Sequence, residues 1–448
     1  MDKTITQSLS DWLAAHQEEM LSDIAGLVAI PTIVNEGEAG YPYGHALKEA
    51  ILYMGKLAEK YGFTWHNHDW HCVSIQYGEG DKQLGIWGHL DVVPLGDDWI
   101  YPPFDCTRVH NFLIGRGVQD NKAPCISSLY VLRYLKDHNL HPNFQIRLIY
   151  GCQEETGMQD VAEYLKREMA PDFSLVPDCG FPVCFGEKGI LEVTLTSEPL
   201  SSGIASLSGG QAANMIPSEG YAEILGKTYH TKGIAGHSAY PEGTVNAFCS
   251  LGKKLEALSE LTDKEKMAFQ FLALAAQDGY GRGLCIDRTD EISGDMTCSP
   301  TLLSLESGRM KLTMNIRYPI TSDGQKILQD LENKAAAYGL SIENAHDNKP
   351  NYVDPMSPWV QFLAQSCAEA TGSYQPPYIM SGGTYARKLP NAVGFGVGLP
   401  RDISVLGLPE GHGEYHQPDE SQCIDNLWEA WRIYTYTICK LVKSGFPE

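Results

Sequence analysis

A histidine and an aspartate stand two residues apart in Leu84-Gly85-Ile86-Trp87-Gly88-His89-Leu90-Asp91-Val92-Val93-Pro94, where a short apolar run stops at a glycine. The run reads as a buried strand. Open α/β sheets bind their ligands at the carboxyl ends of such strands. A metal-bound imidazole usually needs a carboxylate to fix its tautomer, so His89 with Asp91 reads as ligand plus orienting group. Three more acidic points occupy comparable places. Residues 144–153 lead into Glu154-Glu155-Thr156-Gly157, residues 173–177 lead into Asp178, and residues 115–119 lead into Asp120 just before a helix. Singly, each fits a charged surface loop. Together they set ligand-type groups at four strand exits or helix starts of one sheet.

Glu154 and Glu155 are informative as a pair. Adjacent carboxylates repel, and both stay ionised cheaply only with positive charge nearby. If Glu155 binds a metal, Glu154 is left to act as general base on water. A solvated acidic helix start would also explain the pair. Late in the chain, Gly411-His412-Gly413-Glu414-Tyr415-His416-Gln417-Pro418-Asp419-Glu420 offers two histidines, and either could be a ligand. His416 has Asp419 and Glu420 as orienting groups. His66, His68 and His71 form a denser cluster. They lack carboxylate-bearing strand ends beyond Asp69 and are read as non-ligating.

These groups need a scaffold. Helical periodicity covers residues 10–29, stopped by Pro31, and 43–61, ending at Gly62. Strand-like runs at 72–77, 84–87, 144–150 and 173–176, with a helix at 123–138, indicate an α/β domain with a largely parallel sheet. From about Glu187 the texture changes. Residues 189–196 alternate apolar and polar, 201–210 read as a Ser/Gly-rich loop, and 221–225, 302–305 and 310–316 read as half-exposed antiparallel strands. Helices at 247–258 and 323–338 accompany them. A helix at 359–371 and glycine-punctuated strands then return to the first texture. The expected organisation is a catalytic domain in two parts, 1–186 and 353–448, interrupted by an α+β lid domain at 187–352.

Composition excludes several classes. The chain has 448 residues, 43% hydrophobic and 20% charged, with a formal net charge of −22. That charge repels phosphate backbones and offers no basic patch for anionic membranes. No apolar run approaches the ~20 residues of a spanning helix. The first twelve residues lack the basic and apolar regions of a signal peptide. Twelve cysteines, none in a C-x-x-C pair, read as free thiols in a reducing cytoplasm.

Taken in order, Gly88-His89-Leu90-Asp91-Val92-Val93-Pro94, Gly117-Val118-Gln119-Asp120-Asn121-Lys122, Glu154-Glu155-Thr156-Gly157, Pro177-Asp178 and His416-x-x-Asp419-Glu420 resemble the motifs of the M20 metallopeptidases. Asn214-Met215-Ile216-Pro217, Asn315-Ile316-Arg317-Tyr318-Pro319 and Ser381-Gly382-Gly383-Thr384-Tyr385-Ala386-Arg387 most resemble the PepV-type dipeptidases of that family. The resemblance implies a zinc-peptidase-like catalytic domain and two divalent metal ions. His89 and Asp178 would hold one, Glu155 and His416 the other, and Asp120 would bridge both. Asp91 would orient His89, Glu154 would be the general base, and the Asp120–Asn121 bond would be cis. Zinc is the first choice of metal, and manganese or cobalt also suit mixed His and carboxylate ligation. Asp120, Glu155, Asp178 and a bridging hydroxide would balance the two ions.

Two departures from the family pattern, Ala123-Pro124 after Lys122 and Pro418 after His416, remove no ligand. Proline is tolerated at a helix start. In the lid, His237 of Gly236-His237-Ser238-Ala239-Tyr240-Pro241 would donate to the oxyanion. Arg317 would clamp the substrate carboxylate. Asn214, Gly383 and Thr384 would help to position the substrate. The implied activity is hydrolysis of small unblocked dipeptides, by a monomer or a homodimer. An N-acyl amino acid amidohydrolase shares the same ligands, and a non-catalytic binding protein of this fold is a third reading.

Overall fold

The computed structural model describes residues 3–35 and 40–447. None of its helices is long and apolar enough to cross a membrane. The chain divides into two compact units. One takes the residues up to Phe185, then Val353–Tyr378 and the residues from Thr384 onward; the other is Gly186–Tyr352 with Ile379–Gly383.

The first unit is built on a mixed sheet. Its strand order is Thr64–His68, Cys72–Tyr77, Gln145–Gly151, Gln83–His89, Phe173–Val176, Ala392–Gly394. The four strands from Gln145–Gly151 to Ala392–Gly394 run parallel. Their side chains are almost all buried, as expected of parallel strands covered on both faces. On one face the helices Lys3–Val28, Lys122–Asp137 and Ile424–Ser444 pack together. Trp12 stacks on Trp431 with ring centroids 5.3 Å apart, and Tyr134 meets both edge-on. On the other face Trp87, Ile149 and Val176 pack with Tyr164 and Tyr385. Parallel strands side by side bring His89, Gly151 and Val176 to the same carboxyl end of the sheet.

The second unit is a seven-stranded antiparallel sheet, in the order Lys227–Lys232, Glu219–Ile224, Ile204–Gly209, Thr297–Glu306, Arg309–Tyr318, Gly189–Ser197, Leu340–Asn348. Gly189–Ser197 and Glu219–Ile224 alternate buried and more exposed residues. Their apolar face forms one core with the helices Ala247–Glu256, Asp263–Ala275 and Gly324–Ala336.

The stretch expected to be a Ser/Gly loop at 201–210 contains a strand, Ile204–Gly209. It pairs with Glu219–Ile224 on one side and Thr297–Glu306 on the other. A bulge between Ile204 and Ser206 breaks the two-residue period. Ile204 and Leu207 are therefore both buried while Ser206 and Ser208 are exposed. Cross-strand pairing overrides weak local propensity here. The helix Ile424–Ser444, for which the sequence reading set no element, closes the chain.

Candidate active site

Six side chains singled out in the sequence, His89, Asp120, Glu154, Glu155, Asp178 and His416, meet in the first unit. His89 ends its strand, and Gly88 before it is required: a Cβ there would lie 2.6 Å from Cys125 Sγ and 2.8 Å from Asn121 Oδ1. His89 Nε2 is 2.8 Å from Asp120 Oδ1 and 3.9 Å from Asp178 Oδ2. His416 Nε2 is 3.0 Å from Asp120 Oδ2 and 3.1 Å from Glu155 Oε1. Each oxygen of Asp120 thus faces one histidine, with Asp178 on the first side and Glu155 on the second. The Asp120–Asn121 bond is cis. Asn121 Nδ2 donates to Asp178 Oδ1 at 3.0 Å and to the Pro177 carbonyl at 2.9 Å. Of the two late histidines, His416 reaches this cluster, whereas His412 Nδ1 pairs with Asp419 Oδ2 at 2.6 Å.

Buried carboxylates position these groups through the backbone. Asp91, fully buried, accepts from the N–H of Glu154 and of Glu155, both at 3.0 Å. Asp160, also fully buried, accepts from Cys152 N–H at 2.7 Å, Gln153 N–H at 2.8 Å and the Tyr385 hydroxyl. Four successive N–H groups, from 152 to 155, are thereby held by two aspartates. Gly151 must lack a side chain, because a Cβ would collide with Tyr385 and Asp160. Glu420 Oε1 accepts from Gly117, Gln119 and Asp120 N–H at 3.1, 2.9 and 3.1 Å. Its Oε2 accepts from Arg116 Nη1 at 2.8 Å.

Two expected orienting contacts differ from the sequence reading. His89 Nδ1 lies 2.9 Å from the Asp91 backbone carbonyl and 3.5 Å from its carboxylate. The same Asp91 carboxylate also accepts from the N–H groups of the Glu154–Glu155 turn. Asp419 and Glu420 do not orient His416 through their carboxylates. Asp419 accepts from Ile100 and Tyr101 N–H at 3.0 and 2.9 Å, and Glu420 holds the Asp120 loop. Asp160, Arg116 and Tyr385 were missed as site-building residues. Their partners are backbone groups or side chains far along the chain, so no local spacing marks them.

The electrostatics suit cations. Burial, with Asp120 close by, pushes Asp178 up to about 7 and also raises Glu155. Burial pushes Glu154 well above the usual carboxylate range, reinforced by Asp178, Glu155 and Asp120. Burial opposes charge on His416, but its contacts to Asp120 and Glu155 outweigh this and raise it to about 11. The donor set is imidazole nitrogen and carboxylate oxygen. His89, Glu154 and Asp178 offer one triad of atoms within 4.8 Å of each other, and His89, Asp120 and Glu155 offer another. Glu154 Oε1 is buried without a hydrogen-bond partner. Such a group of buried acids fits divalent cations, whose charge inverts the local proton affinities.

In the second unit a separate polar cluster forms. The strand Gly236–His237 pairs with Met215–Ile216, setting His237 opposite Met215. Ser238 N–H donates to the Asn214 carbonyl at 2.8 Å. Asn315 Oδ1 accepts from Ser238 Oγ and from Arg317 Nε, both at 2.9 Å. Arg317 Nη1 donates to the Ser381 carbonyl at 3.1 Å. Asn214, His237 and Arg317 are thus joined through Ser238 and Asn315, which were not named as site residues. Gly383 follows in the same unit. Thr384 belongs to the first unit, where its Oγ1 accepts from Ala386 N–H at 3.1 Å and starts a short turn.

The sequence pattern of peptidase family M20/M25/M40 matches residues 85–440. A Bacillus subtilis (strain 168) protein named "Putative dipeptidase YtjP" is 31% identical over 467 residues, covering 95% of this chain and 98% of the relative. The crystal structure of human carnosine dipeptidase 1 superposes with a TM-score of 0.63 at 12% identity, over 98% of this chain and 99% of that one. The dipeptidase Dug1p of Saccharomyces cerevisiae gives 0.63 at 14% identity, with the same coverage. The two structural likenesses establish the fold; the sequence match, spanning most of the chain, establishes the family. This chain belongs to peptidase family M20/M25/M40.

Proposed function

We propose that the chain is a two-metal dipeptidase that cleaves the amide bond of small unblocked dipeptides. The observation carrying this reading is Asp120 between His89 and His416, flanked by Asp178 and Glu155, with the unpartnered Glu154 Oε1 beside them. His89 and Asp178 would hold one ion, His416 and Glu155 the other, and Asp120 both. When bound, two divalent ions supply Lewis acidity to the scissile carbonyl and to the attacking water. Glu154 takes the proton from that water and passes it to the leaving amine. Asp91 and Asp160 keep Glu154 and Glu155 in place by fixing the turn that carries them.

His237 donates to the oxygen that becomes negative, a contact worth ~3–4 kcal/mol in the transition state. Arg317 binds the substrate carboxylate, held in aim by Asn315 and Ser381. Asn214, Gly383 and Thr384 position the peptide. Zinc is the first metal to try, then manganese and cobalt. Twelve cysteines, all free, support a reducing cytoplasmic setting.

The test is hydrolysis of unblocked dipeptides beside N-acetyl and N-succinyl amino acids. The protein is stripped by chelator and reloaded with each metal in turn. Metal-dependent cleavage of the unblocked dipeptides alone is the expected result. Cleavage of the acylated compounds alone would make the chain an amidohydrolase. No turnover with any metal would point to a binding protein.

A further inference from the structure

A second group of ligand-type side chains lies on the edge strand of the first unit. His66 and His68 stand two apart on Thr64–His68, so both leave the same face of the strand. Their rings meet at a steep angle with centroids 4.6 Å apart. Glu168 follows the helix Gln159–Leu165, and its Oε1 lies 3.6 Å from His68 Nδ1. One donor atom from each of His66, His68 and Glu168 lies within 4.8 Å of the other two.

The spacing fits a shared ion better than direct pairing. A separation of 3.6 Å is too long for a hydrogen bond. Tetrahedral zinc with bonds of ~2.1 Å sets its ligands ~3.4 Å apart. The His68–Glu168 pair is already near that edge length. The exposed His66 ring can close the remainder by rotating about its own side-chain bonds.

The surroundings also suit a cation. His68 Nε2 lies 2.8 Å from Oγ of the buried Ser74. With the Nε2 proton donated to Ser74, the Nδ1 lone pair faces Glu168, which is the support a ligating histidine ordinarily has. Arg147 Nη1 reaches Glu168 Oε2 at 3.4 Å and leaves Oε1 on the histidine side. His71 takes no part, since its Nδ1 lies 2.9 Å from the Tyr43 hydroxyl. The carboxylate that the histidine run lacks locally, Glu168, arrives from a hundred residues away.

We propose that His66, His68 and Glu168 form a second site for a divalent transition-metal ion, separate from the catalytic cluster, with water completing the coordination. The test uses untagged full-length protein, stripped by chelator and dialysed against buffered micromolar free zinc. Metal content is read by mass spectrometry. Wild type should hold one zinc equivalent more than H66A and one more than E168Q. His66 is exposed and Glu168 half-buried, so H66A stands alone if E168Q fails to fold. The readout is a difference from wild type, independent of how many ions the catalytic cluster takes and of what the protein hydrolyses. Equal zinc content in all three proteins across the micromolar range would overturn the site.

Discussion

Glu154 Oε1 is buried and has no partner, and in the proposed reaction Glu154 is the group that takes the proton. Glu154→Gln keeps the shape and removes the base. We expect kcat to fall ~10²–10⁴-fold, with zinc content and melting temperature near wild type. Turnover equal to wild type would remove Glu154 from the chemistry. At this scale the sequence was legible wherever a side chain acts directly. His89, Asp120, Glu154, Glu155 and Asp178 stand at strand exits or helix starts, and a short apolar run that stops at a charged residue is a local signal. His416 against His412 was not decided by spacing, because the choice depends on which ring the loop turns inward. The work of Asp91 and Glu420 was invisible for a different reason. Both act on backbone N–H groups, Asp91 over 63 and 64 residues and Glu420 over some 300, and a backbone donor leaves no mark on the sequence.

Elements carry those positioning contacts. Glu420 ties the Gly117–Asp120 loop to the segment preceding Ile424–Ser444 and pairs with Arg116, with both side chains fully buried. Glu420→Gln leaves Arg116 buried with its charge uncompensated. A loss of about 3–5 kcal/mol is expected, read by denaturant unfolding, together with weaker zinc binding through the freed Asp120 loop. A stability change below about 1 kcal/mol would show that the clamp is dispensable. In the second unit, the helix Asp263–Ala275 starts with a capping box. Thr262 accepts from Glu265 N–H, and Glu265 accepts from Thr262 and Ser201 N–H, both at 2.8 Å. Although burial alone would raise Glu265, the hydrogen bonds from Ser201 and Thr262 outweigh it and lower the group to about 2. A lowered folded value means the contribution is complete above the unfolded value of ~4.3 and is lost as pH falls toward 2. The stability gap between wild type and E265Q should therefore shrink from pH 5 to pH 2, and a gap that widens over that range would reverse the assignment. The elements most readable in advance were the buried parallel strands and the amphipathic helices. Ile204–Gly209, read as part of a loop, escaped because cross-strand pairing overrides what its residues prefer locally.

At the scale of the molecule, the candidate metal ligands all belong to one unit, while the second unit keeps an apolar core of its own without any of them. Two separate cores predict two unfolding transitions. A ligand stabilises only the state that binds it, by ~2.7 kcal/mol at a hundredfold excess over Kd. Calorimetry in chelator and in zinc should therefore show one transition that climbs with free metal and one that stays in place. The climbing transition should carry the near-ultraviolet signal of the first unit's stacked Trp12 and Trp431. The net charge of −22 works in the same direction, because a negative molecule that concentrates carboxylates in a buried cluster gains more from divalent cations than from monovalent salt. Raising sodium chloride to the same ionic strength should leave the gap between the transitions nearly unchanged. If zinc and sodium chloride shift both transitions equally, the stabilisation is general screening, and the buried cluster is not where the metal acts.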